Sequence, residues 1–408
     1  MHLYVNHARG IWNLFLSKEK EYYEREKRFL WKNDLQKLHT RLVSQEEYKW
    51  LSEIPRQSST LVCQNLSNAI QFATGKKKIQ GREFPTYKKK NPNSGSFQVF
   101  GSKSGFYASD PDHVLTLPKI GKVKTRGRRH FPGAVYQRCT VFRDGDRWYA
   151  SLSYDAPDLP EPEETDRVVA VDMGIKALVT TYDGNSFKQI LAPKFARKSQ
   201  KRLTLRQRRL ARKQKDSKRR AKQVLRVRAV YRKIRNQRKD LAHQITHRLT
   251  TKVDVLRIES LRPRAIARGG KGRRGAGIRY AAHDASMSLI LSQLEYKCAR
   301  RHVILDRVPW NFPSTKQCAS CGTKHEMPLS KRVMQCDCGF RLDRDANAAL
   351  NIYWYGEERR NHRHLSGTLV ETVKPAELAL LGETGVEART SVRTEDSSAI
   401  ALACASVI

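Results

Sequence analysis

Apolar residues recur at helical spacing along the first stretch of the chain: Ala8, Ile11, Trp12, Leu14 and Phe15, then Tyr22, Tyr23, Phe29, Leu30 and Trp31, and later Leu61, Leu66, Ala69, Ile70 and Phe72. Steps of three and four put side chains on one helix face, so Val5 to Thr74 predicts a helical domain with charged outer faces. Lys76-Lys77-Lys78 and the run from Phe84 to Asn93, with Tyr87 among lysines and two prolines, break that period. They predict a basic crossing segment. From 97 to 155 the pattern shortens to alternation, as in Val114-Leu-Thr-Leu and Arg147-Trp-Tyr-Ala-Ser-Leu-Ser-Tyr, with Asp144-Gly145-Asp146 as a hairpin turn. A small antiparallel barrel is predicted there, followed by a linker at Pro157, Pro160 and Pro162.

Arg167-Val-Val-Ala-Val-Asp172 then reads as an apolar strand, with a turn and a second strand closing on Asp183-Gly184. A long basic stretch predicts two helices broken near Lys215-Asp216-Ser217, the later one carrying Ile234, Leu241, Ile245 and Leu249 on one face. Val253 to Glu259 is a short strand ending in an acid. Residues 262 to 280, rich in Arg and Gly, predict a mobile loop, and Ala281 to Arg300 a helix. Beyond Tyr355 periodicity fades and acids accumulate, which predicts a largely unordered tail.

Charge narrows the partner. With 79 Lys+Arg against 40 Asp+Glu, the formal net charge is +39, and a polyanion is the simplest reason to tolerate that repulsion. Residues 197 to 239 alone hold 21 Lys/Arg and a single acid, Asp216, so the charge is a local surface suited to phosphates. Lys122, Lys124, Thr125 and Arg126 are lesser candidates for backbone contacts. No apolar run reaches the length of a membrane span, and Met1-His2-Leu3 opens no basic-then-apolar leader, so a soluble, unexported protein without membrane association is predicted.

Cys63, Cys139, Cys298 and Cys404 stand singly; the first three read as ordinary thiols of core or surface. Cys318, Cys321, Cys336 and Cys338 form two close pairs, the pattern of a tetrahedral Zn²⁺ site, with His325 as a substitute ligand. Directly behind them Asp345 opens a predicted helix. Asp172 and Glu259 sit at strands, and if these pair, the three acids can converge at one sheet edge. Such a cluster is costly without cations, whereas Mg²⁺ or Mn²⁺ relieves the repulsion and supports phosphodiester hydrolysis. Singly each acid has a plainer reading: a turn residue, a partner for Arg262 or Arg264, a helix N-cap. Beside a basic stripe and a cysteine knuckle, the joint chemical reading prevails. Trp12, Tyr87 and Trp310 could stack on bases but read first as packed aromatics.

Val-Asp172-x-Gly174-Ile-Lys, Ile258-Glu259-Ser-Leu, the four-cysteine knuckle and Asp343-Arg-Asp345-x-Asn347-Ala-Ala-x-Asn351-Ile resemble the split RuvC nuclease domain of the TnpB family, transposon-encoded ancestors of type V CRISPR effectors. Ile234 to His243, Leu294 to Lys297 and Phe312 to Cys318 extend the resemblance, which runs from about Ala8 to Tyr353. It implies an α+β multidomain protein: a helical recognition domain over 1–90, a wedge-like β-barrel over 91–160, an RNase H-like RuvC domain over 161–316, a zinc-ribbon insertion over 317–340, the final RuvC motif over 341–356 and a disordered tail over 357–408. It further implies a guide RNA, a double-stranded DNA target beside a short flanking motif, and metal-dependent cutting, in a prokaryotic cytoplasm, with a monomer favoured. Asp172, Glu259 and Asp345 fall on the family's Mg²⁺-binding catalytic triad; Asp343 does not.

The chain departs from the family in two ways. It starts almost at the first recognition helix, where members carry roughly twenty further residues, enough for one barrel strand. Its second cysteine pair is Cys-x-Cys where Cys-x-x-Cys is common. Two rivals share most of these motifs: a compact type V CRISPR effector, and an RNA-guided DNA-binding regulator that does not cut. A DNA transposase lacks support, because no catalytic Tyr or His-hydrophobe-His pattern stands out.

Overall fold

The computed structural model of the 408-residue chain describes all residues except 75–78, 92, 102–105, 110–113, 127–134, 156–164, 262–271, 329, 357–367, 374–399 and 408. It divides into two compact units, Met1–Pro157 with Val386–Ile408, and Asp158–Gly385. The proline linker lies outside the described residues.

In the first unit, α1 (His2–Glu26), α2 (Lys32–Val43) and α3 (Arg56–Thr74) are followed by β1 (Ser94–Phe100), β2 (Tyr107–Ser109), β3 (Val114–Leu117), β4 (Gly121–Arg126), β5 (Tyr136–Asp144) and β6 (Arg147–Asp155). The helical period of α1 decides what it buries: Ala8, Ile11, Trp12, Phe15 and Leu16 face inward. They join Leu66 and Ile70 of α3 and Phe97, Val99, Cys139, Val141, Ala150 and Leu152 of the strands in one core. Full burial of Phe15 alone is worth about 2–3 kcal/mol. The β5–β6 hairpin turns at Gly145, whose φ of 67° suits glycine, with Asp144 opposite Arg147.

The sheet runs β1-β5-β6, then the C-terminal strand Ile400–Val407, then β4-β3-β2. This corrects part of the tail expected to be unordered. An Ile-Ala-Leu-Ala-Cys-Ala-Ser-Val run without acids pairs with β6 from Ile400↔Asp155 to Val407↔Trp148, and with β4 at Ser406 and Val407. It satisfies backbone groups that two strand edges would otherwise expose. Glu371–Val373 is also a strand, and most of the remaining tail lies outside the described residues.

The second unit is built on a mixed sheet of β7 (Val168–Asp172), β8 (Ala177–Tyr182), β9 (Phe187–Leu191), β10 (Val255–Glu259), β11 (Ile304–Val308) and Glu371–Val373, in the order β11-β10-β7-β8-β9 and then Glu371–Val373. β10 lies parallel to both β7 and β11. The helices are α4 (Phe195–Ala211), α5 (Lys218–Leu249), α6 (Gly272–Ala285), α7 (Met287–Arg300) and α8 (Arg344–Tyr353), and a small hairpin pairs β12 (Val333–Gln335) with β13 (Arg341–Asp343). Leu241, Ile245 and Leu249 of α5 pack with Ile290 and Leu294 of α7 against Val171, Leu256 and Ile258 of the sheet.

The basic stretch breaks between α4 and α5 where expected, and Ser217 caps α5 by accepting from the Arg220 amide at 3.1 Å. The Arg/Gly stretch differs from expectation. Residues 262–271 lie outside the described residues, but Gly272–Ala285 is helical, and Ser286 with φ 54° separates it from α7. Glycines at 275 and 277 cost about 1 kcal/mol each in a helix. Tertiary contacts offset them: the Tyr280 hydroxyl donates to Gln200 Oε1 at 3.0 Å, and Asp284 accepts from Arg238 and from the Ala196 amide.

Candidate active site

The parallel register of β7 and β10 decides where the first two acids go. Val171 stands opposite Ile258, so Asp172 and Glu259, each one residue further on, leave the sheet side by side at its carboxyl end. Asp345 comes from the first turn of α8, which packs by Ala346, Ala349 and Leu350, the two alanines being small enough to let helix and sheet approach closely. Asp343 is the N-cap of that helix. Its Oδ1 accepts from the Asp345 amide at 3.0 Å, the Ala346 amide at 3.2 Å and Gln189 Nε2 at 2.9 Å. The N-cap, the plainer alternative for Asp345, is Asp343, and Asp345 lines the cavity.

That cavity measures 1330 Å³ and is lined by all three acids together with Lys176, Arg332 and Arg344. Burial, then the Asp345 and Glu259 charges, push the Asp172 carboxyl up to about 8. Glu259 is raised by burial, opposed by the Ser314 hydroxyl that donates to its Oε2 at 3.3 Å. Burial and the neighbouring Asp343 raise Asp345, against Arg332, Arg344 and Lys176. Burial raises each of the three carboxyls, and at Asp172 the other two acids add to the rise, so a hard cation would favour their charged forms.

The cysteines form a second centre. Cys318 and Cys338 sulfurs lie 3.8 Å apart and those of Cys321 and Cys336 3.4 Å. Tetrahedral Zn²⁺ with bonds of about 2.3 Å needs sulfurs separated by about 3.8 Å. Among the described residues, these four make the group whose ligand atoms all lie within 4.8 Å, and His325 is not in it. The short Cys-x-Cys closes because Gly339, at φ 86°, turns the chain so that the Cys336 amide reaches the Phe340 carbonyl at 3.0 Å. Cys63, Cys139 and Cys298 are buried thiols elsewhere.

Sequence reasoning missed how the two centres connect. Asn347 and Asn351, one turn apart on α8, both donate through Nδ2 to the carbonyls of Ser314 and Gln317, and Asn347 Oδ1 accepts from the Ala319 amide at 3.0 Å. One helix face therefore holds the segment that carries Ser314 at one end and Cys318 at the other. The i, i+4 spacing of the asparagines was the available signal. Asp284, bound by the Arg238 guanidinium at 2.9 Å and by the Ala196 amide, was also missed, having no local signature. The aromatic expectation holds for Trp12, whose Nε1 donates to the Thr86 carbonyl beneath the Lys88 ammonium. It fails for Tyr87 and Trp310, which are 48% and 56% exposed.

Residues 151–268 match the family OrfB_IS605, described as "Probable transposase", and 288–352 match the Cas12f1-like TNB domain. A protein of Streptomyces pristinaespiralis named for RNA-guided DNA endonuclease activity is 35% identical over 314 residues, which are 75% of this chain and 73% of that one. The chain belongs to the TnpB family. InsQ of Escherichia coli K12, named likewise, is 25% identical over 387 residues, 92% of each chain. TnpB membership agrees with the fold, since a Cas12f1–sgRNA–target DNA complex holds a chain that superposes with a TM-score of 0.56 at 14% identity, over 86% of this chain and 81% of that one. Asp172 and Glu259 fall within the first matched stretch of the TnpB chain, and the cysteines and Asp345 within the second. Among the described residues no helix is long and apolar enough to cross a membrane.

Proposed function

We propose that this TnpB-family chain is a transposon-associated, RNA-guided DNA endonuclease that cuts target DNA at Asp172, Glu259 and Asp345. The observation that carries the reading is the parallel β7–β10 register, which sets two acids side by side, with the third delivered to the same cavity by α8. In this reading the unit Asp158–Gly385 is a RuvC nuclease with the cysteine segment 317–340 as a zinc ribbon. Residues 1–90 and 91–160 are the recognition helices and a wedge-like barrel that read the flanking motif.

Mg²⁺ or Mn²⁺ held by the three carboxylates would activate water and stabilise the departing 3′-oxygen. The chain's own groups prepare that site. Asp343 fixes the first turn of α8 and thereby the origin of the Asp345 side chain. Ser314 orients Glu259 by donating to one carboxylate oxygen. Lys176, Arg332 and Arg344 supply positive potential along the path of a phosphodiester. Zn²⁺ at the four thiols would be structural, fixing the loop that Asn347 and Asn351 clamp. Guide RNA and double-stranded target DNA are the partners suggested by the named relatives, and pairing between them carries the sequence information. The α4–α5 hairpin, whose residues Arg208, Arg209 and Lys213 are exposed, offers a track for phosphates.

A compact type V CRISPR effector is the second reading, favoured by the Cas12f1-like match over 288–352. A neighbouring repeat array, as against a transposon end, separates the two. The non-cutting regulator is opposed by the presence of all three acids in one cavity. The test is native purification with sequencing of bound RNA, followed by incubation with matched duplex and Mg²⁺. An RNA of defined end and a cut target support the reading; protein free of RNA, or an uncut target, overturns it.

A further inference from the structure

Trp310 is at odds with its surroundings. The loop after β11 is held firmly: the Phe312 amide donates to the Pro309 carbonyl at 3.1 Å, and the Lys316 and Gln317 amides to the Pro313 carbonyl at 3.0 Å. Phe312 packs edge-on against Tyr355 with centroids 5.0 Å apart and joins Ala170, Val308 and Ile352 in a small core. Asn347 and Asn351 also bind the Ser314 and Gln317 carbonyls. A loop this well anchored could bury its largest apolar side chain, yet Trp310 stays 56% exposed and lines the cavity of the three acids. Lys176, Lys316, Arg332 and Arg344 line the same cavity. An indole face beside cations and a phosphodiester-cleaving centre has the chemistry of a nucleobase platform, with the ring taking the base while the cations take its phosphates.

We propose that Trp310 stacks on an unpaired base of the DNA strand being cut and so sets which phosphodiester faces Asp172, Glu259 and Asp345. This rests on the endonuclease reading above. The occupant is single-stranded DNA, because bases inside a duplex present no free face to an indole. Trp310 acts as a positioning residue: it holds a base near the scissile bond and exchanges no proton. Stacking of this kind is sequence-tolerant, since every base has a π face, which suits a nuclease whose sequence information comes from elsewhere.

The experiment uses full-length protein loaded with its RNA, and single-turnover cleavage of targets carrying one abasic site stepped along the cut strand. Wild-type protein should slow about ten- to a hundred-fold when the abasic site reaches one position near the cut. Trp310→Ala should slow intact target by a similar factor, spread the cut over neighbouring bonds, and lose the abasic sensitivity. Trp310→Phe should restore both rate and cut position. Trp310→Leu, which keeps apolar bulk without a π face, should behave like Trp310→Ala; wild-type behaviour of Trp310→Leu would mean packing and overturn the proposal. So would a sharp, abasic-sensitive cut by Trp310→Ala, or sensitivity confined to abasic sites in the RNA. If wild-type protein with its RNA fails to cut any target, the endonuclease reading fails and not this residue's assignment alone.

Discussion

Replacing Asn347 and Asn351 by leucine, singly and together, probes how the cysteine segment and the acids are held in one piece. Asn347 is fully buried. Its loss orphans the Ala319 amide, which costs about 1–3 kcal/mol, while the Ser314 and Gln317 carbonyls keep the Asn351 donor at 2.8 and 2.7 Å. Asn351→Leu removes one of two donors from each carbonyl and should cost only about 0.5–1.5 kcal/mol. The double variant strips both carbonyls of both amides, so its cost should exceed the sum of the singles by about 1–3 kcal/mol. Amide hydrogen exchange over residues 312–322 measures this locally, without assuming that a two-unit chain unfolds in one step. Opening free energies that add within about 0.5 kcal/mol would refute the shared-donor account.

Three further outcomes are expected. Glu19 is fully buried, with Oε1 accepting the Leu30 amide at 2.8 Å, and burial raises its carboxyl from its ordinary 4.5 to about 7. The unfolded chain therefore binds fewer protons between those values, so stability falls as pH rises from 4.5 to 7. Glu19→Gln should match the wild type near pH 4 and exceed it by about 2–3 kcal/mol at pH 8 in denaturant unfolding; equal stability at both would refute the assignment. Chelation should expose the thiols of Cys318, Cys321, Cys336 and Cys338 to a disulfide reagent and speed exchange over 312–322, and a zinc-free preparation with equal protection would contradict the structural role. Replacing Arg208, Arg209 and Lys213 with Gln should flatten the slope of log Kd against log salt for RNA by about 2–3; an unchanged slope removes α4–α5 from the nucleic-acid track.

The strands and helices of both units were largely legible because their periods agree with their burial, as in α1 and the β5–β6 hairpin. The three acids were legible as candidates because each sits next to a recognisable boundary: two strand ends and a helix start. Whether they meet depends on register, which the local pattern leaves open until Val171 is seen opposite Ile258. α6 was hidden because its three glycines depress helix propensity and its support comes from Gln200, Ala196 and Arg238, distant in sequence. The strand at Ile400–Val407 was hidden because eight apolar and small residues have no meaning as a strand until an edge is available to pair with. Trp310 was read as packed because that is the ordinary fate of tryptophan, and only its exposure in the cavity overturns it.

The most direct test of the central claim compares wild-type and Asp172→Ala protein, each loaded with its own RNA, in binding and in Mg²⁺-dependent cleavage of the same duplex. The account predicts that Asp172→Ala binds RNA and target as the wild type does and makes no cut. Retained cutting by purified Asp172→Ala protein would contradict it.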